Sequence, residues 1–145
     1  MTTPDYDTDF YAWTQQQAAA LQDRKWETLD LAHLAEEIES VGMDAQHAIT
    51  RHLQRLLHHL LKWQYQPTHR TRSWQVSIAQ ARDRISDVLE RSHSLRDYPA
   101  QRLALAYRRA RRDAITVTGL PPATFPEACP WPIAQVLEAD FWPEA

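Results

Sequence analysis

Apolar residues recur at intervals of three and four along almost the whole chain, the spacing that lines one face of an α-helix. A first helix is predicted over about Asp7 to Asp23, with Phe10, Trp13, Gln17 and Leu21 on one side. Asp30 is placed to cap a second helix whose apolar stripe is Leu31, Leu34, Ile38 and Val41, and Gly42 to end it in the C′ role. Asp44 then caps a third helix reaching about Gln64, with Ile49, Leu53, Leu56, Leu60 and Trp63 inward. So short a turn folds the second and third helices into an antiparallel hairpin.

The stretch from Tyr65 to Ser73 is a polar link containing Pro67. Ser73 is the expected cap of a fourth helix through about Ser94, which turns Trp74, Ile78, Ala81, Ile85 and Leu89 inward. A fifth begins near Tyr98 and Pro99 and runs to Thr118 before Gly119, with Leu103, Tyr107, Ala110, Ala114 and Val117 inward. Prolines then break regular structure from Leu120 to Pro132, and a short helix over about Ile133 to Ala139 packs back on the rest. The expectation is an all-α, up-down helical bundle of about five main helices plus a short C-terminal one, formed as a single domain over residues 1–145.

Composition narrows this without redirecting it. Two glycines in 145 residues are few for the tight turns of a sheet protein. A hydrophobic content of 43% is enough to build a core at this length. The lone Cys129 forms no intramolecular disulfide, and the acidic opening from Met1 has neither a leader's apolar run nor a membrane span, so a cytoplasmic protein with no membrane partner is expected. Charge is unevenly spread. Residues 1–48 carry ten acids and two bases, residues 49–112 four acids and fourteen bases, and residues 113–145 five acids and no base. The favoured expectation is internal neutralisation, with Glu36 or Glu37 paired to an Arg or Lys of a neighbouring helix, such as Arg55.

Longer phrases narrow the reading further. Asp9-Phe-Tyr-Ala-Trp13, the run from Leu29 to Gly42, His59 to Pro67, Arg72-Ser-Trp74, Thr118-Gly-Leu120 and Phe125 to Pro130 occur in order along nearly the whole chain. Together they resemble the bacterial "domain of unknown function twenty-nine" family. The resemblance implies an all-helical fold and carries no activity with it.

Two constellations carry chemistry. Asp30, His33 and Glu37 flank the stripe of the second helix, and His52, Arg55 and His59 flank that of the third. If the hairpin closes at Gly42, Asp30, His33, Glu37, His52 and His59 become a candidate metal site of imidazole and carboxylate donors, suited to zinc, iron or manganese. The competing reading is ordinary helix-to-helix salt bridging, and His47 and His58 are read as solvated. On the fifth helix Arg108 and Arg112 share a face, with Arg109 and Arg111 beside them and Arg102 below. Arg102, Arg108, Arg109 and Arg112 are the candidate contacts to nucleic acid, against the alternative of a solvated or acid-paired face. Cys129 has no helix N-terminus or base nearby, and neither a nucleophile elbow nor a phosphate or dinucleotide loop occurs. The function expected is therefore a non-catalytic protein-interaction or adaptor module with a protein partner. Nucleic-acid binding is the alternative and a metal-dependent activity the third, with no cofactor named.

Overall fold

The computed structural model describes residues 5–144, so the first four residues of the acidic opening read from Met1 lie outside them. The order of elements is α1 (Phe10–Gln22), α2 (Leu31–Tyr65), α3 (Arg72–Arg91), α4 (Tyr98–Thr118) and α5 (Ile133–Leu137), with single 3₁₀ turns between them. There is no strand among the described residues, and the fold is an all-α bundle. The chain divides into two compact units, one ending at Met43 and the other beginning at Asp44.

The principal correction to the sequence reading is α2. The second and third predicted helices are one helix of 35 residues, unbroken at Gly42. A glycine inside a helix costs about 1 kcal/mol relative to alanine. Ending one helix and starting another there would orphan about four N–H and four C=O groups, a larger loss unless caps replace them. Asp44, expected to cap a new helix, is an ordinary exposed position within the old one.

In the first unit, Asp9 caps α1 by accepting from the Ala12 N–H at 3.1 Å. The helix buries Trp13, Gln17 and Ala20 and leaves Phe10 and Leu21, both expected inside, half-exposed. On α2, Leu31, Ile38 and Val41 are likewise open to solvent rather than packed.

The second unit holds the main core. From α2 it takes Ile49, Leu53, Leu56, Leu57, Leu60, Leu61 and Trp63, from α3 Ile78, Ala81 and Ile85, and from α4 Ala106, Tyr107, Ala110 and Ala114. Each buried leucine contributes about 1.5–3 kcal/mol of transfer free energy, so α2 is the main apolar donor. Thr71, two residues before the expected Ser73, caps α3 by accepting from the Trp74 N–H at 3.2 Å. Gly119 ends α4 as predicted, at φ +68°, a left-handed conformation glycine adopts without steric cost. Val117 in the last turn faces out.

The proline-rich tail packs back on this core through Phe125, Trp131 and Val136. Three side chains tie down its backbone. Buried Arg82 donates to the carbonyls of Val136 (2.9 Å), Ala139 (3.3 Å) and Phe141 (2.8 Å). Arg111 reaches Phe125 O and Pro122 O, and the Tyr107 hydroxyl donates to Pro126 O at 2.5 Å. Irregular backbone near a core needs such partners, because each unpaired buried carbonyl costs about 1–3 kcal/mol.

Two stability measurements follow. A methyl group at Gly42 would meet no atom within 4 Å beyond its chain neighbours and the backbone of its own helix. Gly42→Ala should therefore raise stability by about 0.5–1 kcal/mol in urea unfolding, whereas a turn at this position would be destabilised. Arg82→Met leaves three tail carbonyls without their donor and should cost about 2–4 kcal/mol, with faster amide exchange over residues 133–141. Unchanged exchange there would separate Arg82 from tail docking.

Candidate functional site

The polar flank of α2 in the first unit is occupied by α1. Trp13 sits on α1 so that its indole Nε1 donates to Asp30 Oδ2 at 3.1 Å. Gln17, one turn further on, accepts from the Asp30 backbone N–H at 2.7 Å and donates to Thr28 O at 3.4 Å. Asp30 caps α2 as the sequence indicated: its Oδ1 accepts from the His33 N–H at 3.4 Å, while its Oδ2 meets His33 Nδ1 at 2.7 Å. The Tyr6 ring stacks on His33 with centroids 3.9 Å apart and meets Trp13 edge-on at 4.9 Å. Its hydroxyl donates to Glu37.

These contacts set the charges. The His33 hydrogen bond holds Asp30 below the ordinary carboxylate value, and the Asp30 carboxylate in turn raises the His33 imidazole. Hydrogen bonding to Glu37 pushes the Tyr6 phenol up to about 12, since ionising it would set two anions together. His33 is thus an oriented imidazole with one nitrogen committed to a carboxylate, which is the arrangement of a positioned base.

The metal set predicted from sequence is not assembled. The hairpin meant to bring its two halves face to face does not form, because α2 continues through Gly42. Asp30 and His33 bond to each other and Glu37 to Tyr6. In the second unit His59 Nδ1 bonds to its own helix at Arg55 O, 2.9 Å away, and His52 Nδ1 is buried without a partner. Burial first, with nearby arginines, lowers the His52 imidazole. Among the described residues no group of three His, Cys, Asp or Glu side chains is placed to hold a metal ion. Nor is His58 solvated as expected: it is half-buried, and burial assisted by Lys62 pushes it down to about 4.

The arginines part company according to their surroundings. Arg102 and Arg109 line a groove of about 860 Å³ in the second unit, together with Arg51 and Arg55 of α2. Arg108 is exposed, and Arg112 lies 3.3 Å from Asp113. That pair and His33–Asp30 are the ion pairs among the described residues, so neither Glu36 nor Glu37 finds the cation expected of it. Cys129 is half-buried, its thiol raised by burial and donating to Trp131 O at 3.3 Å, an environment that suppresses thiolate chemistry.

Residues 6–142 match the family described as "Domain of unknown function DUF29". The chain belongs to this family. No curated protein and no solved structure matches it. No described helix of this DUF29 chain is long and apolar enough to cross a membrane.

The feature of the DUF29 chain that sequence reasoning misassigned is the apolar stripe at the start of α2. Leu31, Ile38 and Val41 are 70%, 70% and 68% exposed, and Leu34 between them is half-buried. Their spacing was legible, but their exposure was not, because the rule that apolar stripes face inward fails where α1 packs on the neighbouring polar side instead. Arg51 was passed over, and Arg55 was placed only on the hairpin flank and as a partner for Glu37. Their i,i+4 spacing on α2 was the available signal.

Raised His33 stabilises the fold in its protonated form, fully so below the ordinary imidazole value of 6.5 and no longer once pH rises through its folded value. Depressed Asp30 stabilises above its ordinary 3.8, and that contribution is lost as pH falls through its lowered folded value. The pair should therefore contribute most between about pH 4 and 6.5. In NMR titrations the His33 midpoint should lie above 6.5 and drop towards it in Asp30→Asn. A midpoint unmoved by that change would show that the carboxylate is not what raises it.

Proposed function

We propose that this protein is a non-catalytic interaction module that recognises a protein partner through the apolar stripe of α2. The observation that supports the reading is the exposure of Leu31, Ile38 and Val41 on a single helical face. The stripe runs about 15 Å along the axis at the rise of an α-helix. Three large aliphatic side chains aligned this way leave a row of apolar surface in water, and such rows on otherwise polar proteins mark contact sites. The stripe follows intervals of seven and three, the seam by which one amphipathic helix takes up another. Residues 1–43 carry nine acids and two bases, so the complementary partner is an amphipathic helix with an apolar centre and a basic rim. The oriented His33 and Asp30 fit this reading as the elements that hold α1 on the polar side of α2 beside the stripe.

Ile38→Glu with Val41→Glu tests it. Both positions are exposed, so folding stability should change by about 0.5 kcal/mol or less per site. Cross-linking in the native host, followed by titration of the purified partner, should show binding weakened at least tenfold, about 1.4 kcal/mol. A partner held equally well by the double variant would remove the stripe from the interface.

A further inference from the structure

The groove of the second unit has a composition that interaction through α2's stripe does not use. It is lined by Arg51 and Arg55 from α2 and Arg102 and Arg109 from α4, with His58 beside them. Its acid, Asp113, already accepts from Gln54 at 3.1 Å and pairs with Arg112 at 3.3 Å. None of the four groove arginines forms an ion pair among the described residues. Arg55 donates once to a side chain, to Ser77 Oγ at 3.3 Å. Arg102 lies over the Tyr98 ring at 5.9 Å, with its Nε buried and unpartnered, and His58 Nδ1 is buried and unpartnered as well. Three other arginines of this unit are used differently: Arg70 donates to Trp63 O, and Arg82 and Arg111 donate to carbonyls of the tail.

Four guanidiniums around one concavity repel one another and focus a positive field into it. Buried donors and acceptors without a partner call for an ion or water to complete them. The planar guanidinium fork, with its five N–H donors, matches phosphoryl and carboxylate oxygens in pairs. Arg51 and Arg55 stand one helical turn apart, about 6 Å of rise, and Arg102 and Arg109 about 10 Å, so the array suits several linked anionic groups rather than one. A volume of about 860 Å³ is that of a small-molecule site. No Phe, Tyr or Trp side chain is among its lining residues, so the large stacking platforms on which single-stranded nucleic acid is held are missing from the groove.

We propose that the groove binds a small anion built of linked phosphoryl groups, grasped by Arg51, Arg55, Arg102 and Arg109. The chemistry is common to a free oligophosphate and to the triphosphate end of a nucleotide. Calorimetric titration of the full chain with tripolyphosphate, ATP, orthophosphate and a thymidine oligonucleotide tests it, in low salt and without added metal. Tripolyphosphate should bind at one site at least tenfold more tightly than orthophosphate. Equal affinity for ATP identifies the phosphate chain as the whole determinant, and tighter binding of ATP identifies a nucleotide; both support the site. Arg55→Ala with Arg109→Ala should weaken tripolyphosphate at least tenfold at unchanged helicity. Arg55→Lys with Arg109→Lys, which keeps the charge, should fall between that variant and the wild type. Absence of saturable tripolyphosphate binding, equal binding by the alanine double variant, or an oligonucleotide that binds more tightly per phosphate and displaces tripolyphosphate would each overturn the proposal.

Discussion

Backbone hydrogen bonding that carries α2 past Gly42 is the constraint on which the rest of this structure depends. One helix supplies the polar flank that α1 covers in the first unit and the leucine-rich face around which the second is built. The competing arrangement, two helices closed into a hairpin, would have turned the same residues towards one another as a potential metal site. A single glycine is too weak a signal to decide between them. Its helical penalty of about 1 kcal/mol is easily outweighed by the hydrogen bonds and caps that a break would have to replace.

The arginines show how burial and neighbours, not residue type, assign roles. Arg82 is desolvated, which lowers its pKa, and it stays in the interior because three carbonyls of the tail accept from it. Its charge therefore holds irregular backbone against a core that would otherwise leave those carbonyls unpaired. Arg111 does the same at Phe125 and Pro122. Arg102 and Arg109, seven residues apart on the same helix as Arg111, face a concavity. Counting positive charge over residues 49–112 could not make this division, because a guanidinium bonded to carbonyls and one awaiting an anion carry equal formal charge.

The two proposals rest on opposite kinds of surface. Leu31, Ile38 and Val41 offer apolar area whose removal from water favours association without much directional demand. The groove arginines offer directed donors that discriminate by the geometry and charge of what enters. Unsatisfied groups are common to both: exposed aliphatic carbon in one, unpaired nitrogen in the other.

Helical periodicity by itself determined the fold class, the inward face of α3, that of α4 as far as Ala114, and the stop at Gly119, because those features depend on residues within a turn or two of one another. It also placed Asp30 correctly as a cap, a contact spanning three residues. It named Arg102 and Arg109 as anion contacts but set Arg55 apart from them and passed over Arg51, since their sharing of one groove depends on how two helices far apart in sequence lie side by side. Only the tertiary structure decided that α2 runs unbroken, that α1 covers its polar flank, and that Leu31, Ile38 and Val41 stay in water. Each is a choice between packings that a one-dimensional pattern fits equally well, and the balance of buried area, paired donors and capped helix ends over the folded chain makes that choice.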